Sequence, residues 1–229
     1  FCYKKMKAKI SEIFRSIQGE GKYLGVSQVF VRFAECNIDC IWCDTDFTVK
    51  EQLDEVELIK RIKGLMPGCH SLSLTGGEPL VQIKFIKSFL PMICKEGINI
   101  FLETNGTLVK EFKQVLKYLD IVSMDIKLPS SAGCGEHWQE HSDFLKIAVG
   151  SKKDVYVKIV VTQGTIRNDI VTAVELISQV SKTVPLIIQP EFIQRDGLMQ
   201  KCQEYLYLAN GQLNDVRIIP QVHKLMGWK

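Results

Sequence analysis

The chain has 229 residues and a mass of 26.0 kDa, enough to bury roughly 70% of the surface its extended form would expose, so a large core forms without covalent staples. Its 46% apolar and 24% charged residues exclude a disordered or fibrous chain, and a net charge of +3 is too small for a dedicated nucleic-acid binder while still welcoming an anionic small molecule. Eight cysteines are too sparse for a disulfide scaffold, no apolar run is long enough to span a membrane, and no signal-type segment follows the lysines of residues 1–9; the expected setting is cytoplasmic, with reduced thiols and no membrane partner.

In chain order, runs rich in Val, Ile and Phe predict strands at 28–34, 71–75, 98–104, 120–127, 155–162, 185–191 and 216–221. Between them, stretches of helical period predict helices at 54–64, 82–95, 107–118, 137–149, 167–181 and 196–210. Asp54 and Thr107 stand where N-caps belong and Gly97 where a helix should stop, while Pro91 kinks or shortens the second helix. Regular alternation implies βαβ units and a parallel sheet. Six or so such units fall short of a full eightfold barrel of about 250 residues, which leaves a partial barrel or an open doubly wound sheet. No repeat or linker divides residues 1–229, which read as one domain.

The strands carry a second signal. Period-two alternation puts polar residues on one face of each: Arg32; Ser71, Ser73 and Thr75; Asn99, Glu103 and Asn105; Ser123, Asp125 and Lys127; Lys158 and Thr162; Gln189 and Glu191; Arg217, Gln221 and His223. Covered parallel sheets are usually apolar on both faces, so a repeated polar face suggests a barrel interior lined for a polar ligand, near the C-terminal strand ends where these residues thicken.

Residues 36–43 read Cys-Asn-Ile-Asp-Cys-Ile-Trp-Cys, a C-x3-C-x2-C spacing directly after the first predicted strand. Three readings compete. A structural zinc site needs a distant fourth ligand such as Cys69 or His70; buried inert thiols fit poorly in a loop holding Asn37, Asp39 and Asp44; and a four-iron cluster held by three thiolates leaves one iron open. Cys2, Cys69, Cys94, Cys134 and Cys202 have no mutual metal spacing.

Cys36, Cys40, Trp42 and Cys43 after an early strand resemble the signature of the radical S-adenosylmethionine enzymes. That resemblance implies a partial (β/α)6-type barrel, shortened relative to a full TIM barrel, and a [4Fe-4S] cluster on Cys36, Cys40 and Cys43. It also implies S-adenosylmethionine chelating the open iron, and a 5'-deoxyadenosyl radical made after one-electron reduction by an external flavodoxin- or ferredoxin-type reductant. Thr75-Gly76-Gly77-Glu78-Pro79 is similar to the family's second motif, in which glycine backbone approaches the methionine moiety. Glu78 there meets an ammonium or caps the next helix.

Ile13-Phe14-Arg15-Ser16-Ile17-Gln18-Gly19-Glu20-Gly21, Val31-Arg32-Phe33-Ala34, Cys43-Asp44-Thr45, Glu103-Thr104-Asn105-Gly106 and Gln221-Val222-His223-Lys224 resemble, over nearly the whole chain, the 7-carboxy-7-deazaguanine synthases of queuosine and 7-deazapurine biosynthesis. This implies Mg²⁺-dependent radical ring contraction of 6-carboxy-5,6,7,8-tetrahydropterin with loss of ammonia, in a homodimer without a nucleic-acid partner. Carried over residue by residue, the resemblance implies substrate contacts at Ile17, Gln18, Gly19, Arg32, Thr75, His223 and Lys229, and Mg²⁺ at Thr45. For S-adenosylmethionine it implies Trp42, Cys43, Asp44, Gly77, Glu78, Ser123, Met124, Asp125, Lys127, Gln189, Pro190, Glu191 and Phe192. Arg32 alone would read as a surface ion pair, and His223 and Lys224 either approach substrate or close the domain. Two other functions stay open: an activating enzyme of glycyl-radical proteins, and a zinc-stabilised binding module.

Overall fold

The computed structural model describes residues 6–46 and 48–228. Among these residues nine strands form one sheet: β1 (Ala8–Ile17), β2 (Ser27–Phe33), β3 (Glu51–Leu53), β4 (Ser71–Gly76), β5 (Ile100–Thr104), β6 (Ile121–Ile126), β7 (Asp154–Val161), β8 (Leu186–Pro190) and β9 (Val216–Ile218). Their order is β3-β1-β2-β4-β5-β6-β7-β8-β9, so β3 and β9 are free edges and the barrel is partial and open. From β2 to β9 the pairings are parallel, as the sequence predicts; β1 and β3 add antiparallel at the β2 side.

The helices follow the strands as α1 (Glu55–Leu65), α2 (Ile83–Ile93), α3 (Val109–Val115), α4 (Pro129–Ala132), α5 (Trp138–Gly150), α6 (Arg167–Val180), α7 (Arg195–Asn210) and α8 (Val222–Met226). Asp54 caps α1 in a reciprocal box with Glu57. Pro91 lies in the last turn of α2, which passes into a 3₁₀ turn over Cys94–Glu96 and stops at Gly97, φ 70°. Thr107 is not a cap: α3 starts behind Leu108, and the Thr107 hydroxyl donates instead to Asn105 Oδ1 at 2.7 Å. Among the described residues no helix is long and apolar enough to cross a membrane.

Strand β1 is absent from the sequence-based prediction. Its pairing with β2 shifts register between Ile10 and Glu12, a bulge that breaks the inside–outside alternation on which such predictions rest. The strand matters because the hairpin to β2 carries residues 18–26, closed by Gln18 N–H to Val26 C=O at 2.8 Å.

Alternate residues of the parallel strands divide between two environments. Val29, Val31, Leu72, Leu74, Leu102, Val122, Val157, Ile159 and Ile188 are buried beneath the helices in the main core. The opposite face lines the barrel interior, and there the sequence pattern misses half the design: Phe101, Ile121, Tyr156 and Ile187 form a second apolar cluster with Tyr23 packed on it, the Tyr23 ring edge-on to Phe101 at 5.6 Å. This plug fills the N-terminal end of the barrel and leaves the polar residues to the C-terminal end. Arg217 of the predicted polar face, in register with Ile187 on the edge strand β9, is exposed and pairs with Asp215 at 2.7 Å.

Replacing Asp54 by Ala is expected to lower the unfolding free energy by about 1 kcal/mol through loss of the cap, whereas Leu74→Ala, in the central core, is expected to cost about 2–5 kcal/mol. Urea denaturation of the two variants beside the parent checks both values.

Candidate active site

The cysteine loop leaves β2 under tight backbone control. Gly77 N–H donates to Phe33 C=O at 3.1 Å and Glu78 N–H to Glu35 C=O at 3.0 Å. A Cβ on Gly76 would lie 2.1 Å from Phe33 O, and one on Gly77 1.9 Å from Glu35 O, so only glycine lets the end of β4 approach the start of the loop this closely. The Gln82 amide completes the grip, donating to the carbonyls of Ala34 and Lys9, both at 2.9 Å. Farther along, Asn37 bonds Asn105 and Thr107 at 2.9 Å each, and Ile41 N–H donates to Ala132 C=O at 2.9 Å.

Cys36, Cys40 and Cys43 are free thiols that line one cavity of about 430 Å³. Burial pushes the Cys40 thiol up to about 12 and raises Cys36 as well, against the nearby Lys127 cation; a metal must displace these protons to bind. Among the described residues no three His, Cys, Asp or Glu side chains converge as a single ion requires. The zinc reading also loses its fourth ligand. Cys69 and His70 precede β4 while the triplet follows parallel β2, which separates them by the strand length, about 20 Å at roughly 3.3 Å per residue. A multi-iron cluster asks only that each thiolate reach its own iron, and three thiols facing one cavity fit that demand.

Beside the thiols, three buried polar atoms have no hydrogen-bond partner among the described residues: Trp42 Nε1, Asp125 Oδ1 and Gln189 Oε1. They come from the cysteine loop, β6 and β8, and their residues line the same cavity, so one donor and two acceptors await a polar ligand. Lys127 Nζ bonds Asp125 Oδ2 at 3.0 Å and lies 4.6 Å from the Trp42 ring centre. Burial opposes its charge, but the Asp125 carboxylate prevails and raises the lysine further. Asp44, Gly77 and Ser123 also line the cavity. This donor set suits S-adenosylmethionine, which presents an ammonium, a carboxylate and a purine.

Five other residues expected at that cofactor do not line this cavity. Glu78 is fully buried and accepts from Leu80 N–H, Asn105 N–H and the Thr104 hydroxyl at 2.7–3.0 Å; it caps the following 3₁₀ turn, and burial pushes its carboxyl up to about 7. Met124 points to the helix side in the main core. Pro190 ends β8 in register with Val161, Glu191 accepts from Ile193 and Gln194 N–H at 3.0 Å, and Phe192 packs under Arg195 and Lys224. Period two explains Met124, which alternates with Ser123 and Asp125; the others serve local caps and turns.

The other half of the cavity belongs to the β1–β2 hairpin and the floor strands. Ile17, Gln18, Gly19, Arg32, Thr75 and His223 line it. The Gln18 amide donates to Glu103 at 2.8 Å and to Gln28 at 3.0 Å, and Thr75 donates to the second Glu103 oxygen at 2.7 Å. Arg32 faces Glu12 at 3.7 Å and lies 5.8 Å from the Phe14 ring, so ion pairing and cavity lining coexist. Thr45 lines the mouth beside Asp46, whose carboxyl the Thr48 hydrogen bonds hold at about 2. Lys229 lies outside the described residues, as does Cys2.

Several cavity residues had no assigned role in the sequence reading. Glu20 meets Lys158 at 2.5 Å, and Lys158 meets Asp125 at 3.5 Å, so alternating charges run from the hairpin through β7 to β6. Burial works to raise the Glu20 carboxyl, but Lys158 and Gln221 bring it down to about 2. Gln221 donates to Glu20 at 2.8 Å, Lys224 bonds Asp44, and Val222 N–H donates to Gly19 C=O at 2.9 Å; the C-terminal segment thereby straps the hairpin to the cysteine loop. Strand alternation marks Glu103 and Lys158 as interior, but no local pattern announces contacts between residues 138 or 201 positions apart.

Residues 31–177 match the family model of the Radical SAM superfamily. A 7-carboxy-7-deazaguanine synthase of Geobacter sulfurreducens is 38% identical over 96% of this chain and 97% of its own; one from Archaeoglobus fulgidus is 33% identical over 97% and 99%. The crystal structure of QueE from Escherichia coli superposes with a TM-score of 0.66 at 21% identity, covering 95% of each chain. With these likenesses spanning both halves of the cavity, the chain belongs to the radical SAM superfamily and, within it, to the 7-carboxy-7-deazaguanine synthases.

Proposed function

We propose that this radical SAM enzyme converts 6-carboxy-5,6,7,8-tetrahydropterin to 7-carboxy-7-deazaguanine by Mg²⁺-dependent radical ring contraction with loss of ammonia. The observation that carries the reading is one cavity with two unlike halves: three thiols and orphaned polar atoms on one side, and a carboxylate floor with an arginine on the other. Cys36, Cys40 and Cys43 would hold the cluster, which would supply one-electron reduction of S-adenosylmethionine. The chain's residues bind and orient. Asp125 Oδ1 and Gln189 Oε1, unpaired, would accept from the cofactor's N–H groups, and Trp42 Nε1 would donate to it.

On the substrate side, the Glu103 carboxylate accepts from the amino group and ring N–H of the pterin edge, while Arg32 and an Mg²⁺ at Thr45 face the substrate carboxylate. The ionised Asp46 beside Thr45 favours a hard cation there. His223 closes over Gly19, where a Cβ would lie 2.4 Å from the imidazole, and the strap that carries it walls the cavity beside the hairpin. The enzyme acts as a homodimer of single-domain chains in the cytoplasm, fed by a flavodoxin- or ferredoxin-type reductant.

Anaerobically reconstituted protein given S-adenosylmethionine, reductant, Mg²⁺ and the carboxytetrahydropterin is expected to yield the deazaguanine by mass spectrometry; an intact cluster with no product defeats the proposal. Cys40→Ala is expected to lose cluster iron and its visible absorbance together with turnover. Thr45→Ala should keep the cluster but need about tenfold more Mg²⁺ for half-maximal rate, the equivalent of about 1.4 kcal/mol of binding; an unchanged metal titration removes Thr45 from that role.

The hairpin that frames the substrate is held by Glu20, whose folded value lies below its ordinary one, so its contribution to stability is complete above about pH 4.5 and disappears as pH falls toward about 2. Thermal melts of cluster-free protein across that window should fall more steeply for the parent than for Glu20→Gln.

A further inference from the structure

Beneath the cavity floor a chain of buried polar side chains continues where substrate contacts end. Gln28 and Ser71 are fully buried, at 0% exposure each, and neither lines the cavity. Gln28 Oε1 accepts from Gln18 Nε2 at 3.0 Å, Gln28 Nε2 donates to Ser71 Oγ at 2.8 Å, and Ser71 Oγ lies 3.0 Å from His70 Nδ1. At the upper end, the second N–H of the Gln18 amide goes to Glu103.

The donors and acceptors in this chain admit one direction. Gln18 must present both N–H groups, to Gln28 Oε1 and to Glu103 Oε1, while its own oxygen accepts from Glu20 N–H at 3.1 Å. Were Gln28 flipped, its NH₂ would face that of Gln18, donor against donor in a dry interior; the Gln18 NH₂, oriented by the Glu103 carboxylate, therefore sets the direction of Gln28, and the Ser71 hydroxyl accepts from its far end. The side chain of Gln18 spends both N–H groups inside the protein, so its grip on substrate passes through Glu103, whose other oxygen Thr75 holds.

We propose that Gln28 and Ser71 are positioning residues for substrate recognition: acting through Gln18, they fix the direction in which the Glu103 carboxylate faces the cavity. The proposal rests on the pterin reading above and adds to it a buried layer that sets how rigidly the floor is held before substrate arrives. Removing Gln28 leaves one Gln18 N–H unpaired and the amide held only by Glu20 N–H and Glu103, so Glu103 keeps Thr75 and the longer Ser73 contact but loses a rigid Gln18, while the cysteine loop and the Asp125 side of the cavity are untouched.

The test is anaerobic steady-state kinetics on Gln28→Leu, Ser71→Ala and Gln28→Glu. Expected for Gln28→Leu is a rise of about tenfold in KM for the carboxytetrahydropterin, with KM for S-adenosylmethionine and iron content unchanged. Ser71→Ala should give a smaller rise of the same selectivity and carries the test if Gln28→Leu does not fold. Gln28→Glu, whose carboxyl stays neutral in this dry position, keeps an acceptor for Gln18 and a donor for the Ser71 oxygen and should recover most of the loss. A parallel titration of each protein with fluorescent 6-carboxypterin reads the floor without turnover. Unchanged pterin KM and binding in both truncations, or equal increases for the two substrates, overturn the proposal. If the parent binds 6-carboxypterin in a Gln28-dependent way but makes no deazaguanine, the reaction assignment falls and the positioning role stands.

Discussion

The close approach of two backbones at Gly76–Gly77 and Phe33–Glu35 is the constraint on which the site depends. With any side chain at either glycine, β4 and the start of the cysteine loop could not share hydrogen bonds, and the three thiols would lose their fixed origin. Glu35 accepts a left-handed conformation, φ 75°, to make the turn. From that anchor the loop is carried outward and tied down again at Asn37 and Ile41. The glycine pair is thus required first by packing between strand and loop, whatever the backbone then offers a cofactor.

A second constraint divides the barrel interior along its axis. Aromatic and aliphatic side chains plug the N-terminal end, so polar groups at the other end are partly shielded from bulk water and must satisfy one another. They do so as an alternating ladder, Glu20, Lys158, Asp125 and Lys127, and as the amide and hydroxyl network around Glu103. In a region of low effective dielectric such pairing is strong, and the cost of leaving a member alone is large. The few buried atoms that remain unpaired at the cavity therefore stand out as places for a ligand.

The ladder and the C-terminal strap also join the two halves of the cavity. Glu20 belongs to the β1–β2 hairpin, Asp125 to β6 on the side of the cavity that holds the cysteine loop, and Lys158 touches both. Asp44 of the cysteine loop is held by Lys224 from the far end of the chain. Residues of the two halves are thus fixed by shared partners, which on the proposed function keeps two reacting centres in one geometry.

Much of this was legible in the sequence, and the physical reason separates what was from what was not. Local patterns determined the alternation of strands and helices, the cap at Asp54, the open three-cysteine motif and the polar lining of the strands, because each depends on neighbours within a turn or a pleat. The strand β1 escaped because a bulge shifts its alternation, and Glu78, Glu191 and Phe192 took local capping and packing roles that their motifs do not distinguish from ligand contacts. Only the tertiary structure decided which polar residues meet: Glu20 with Lys158, Gln221 with Glu20, Gln18 with Glu103. Those partners come from different strands and opposite ends of the chain, and a sequence orders residues along a line while hydrogen bonds are made across a barrel.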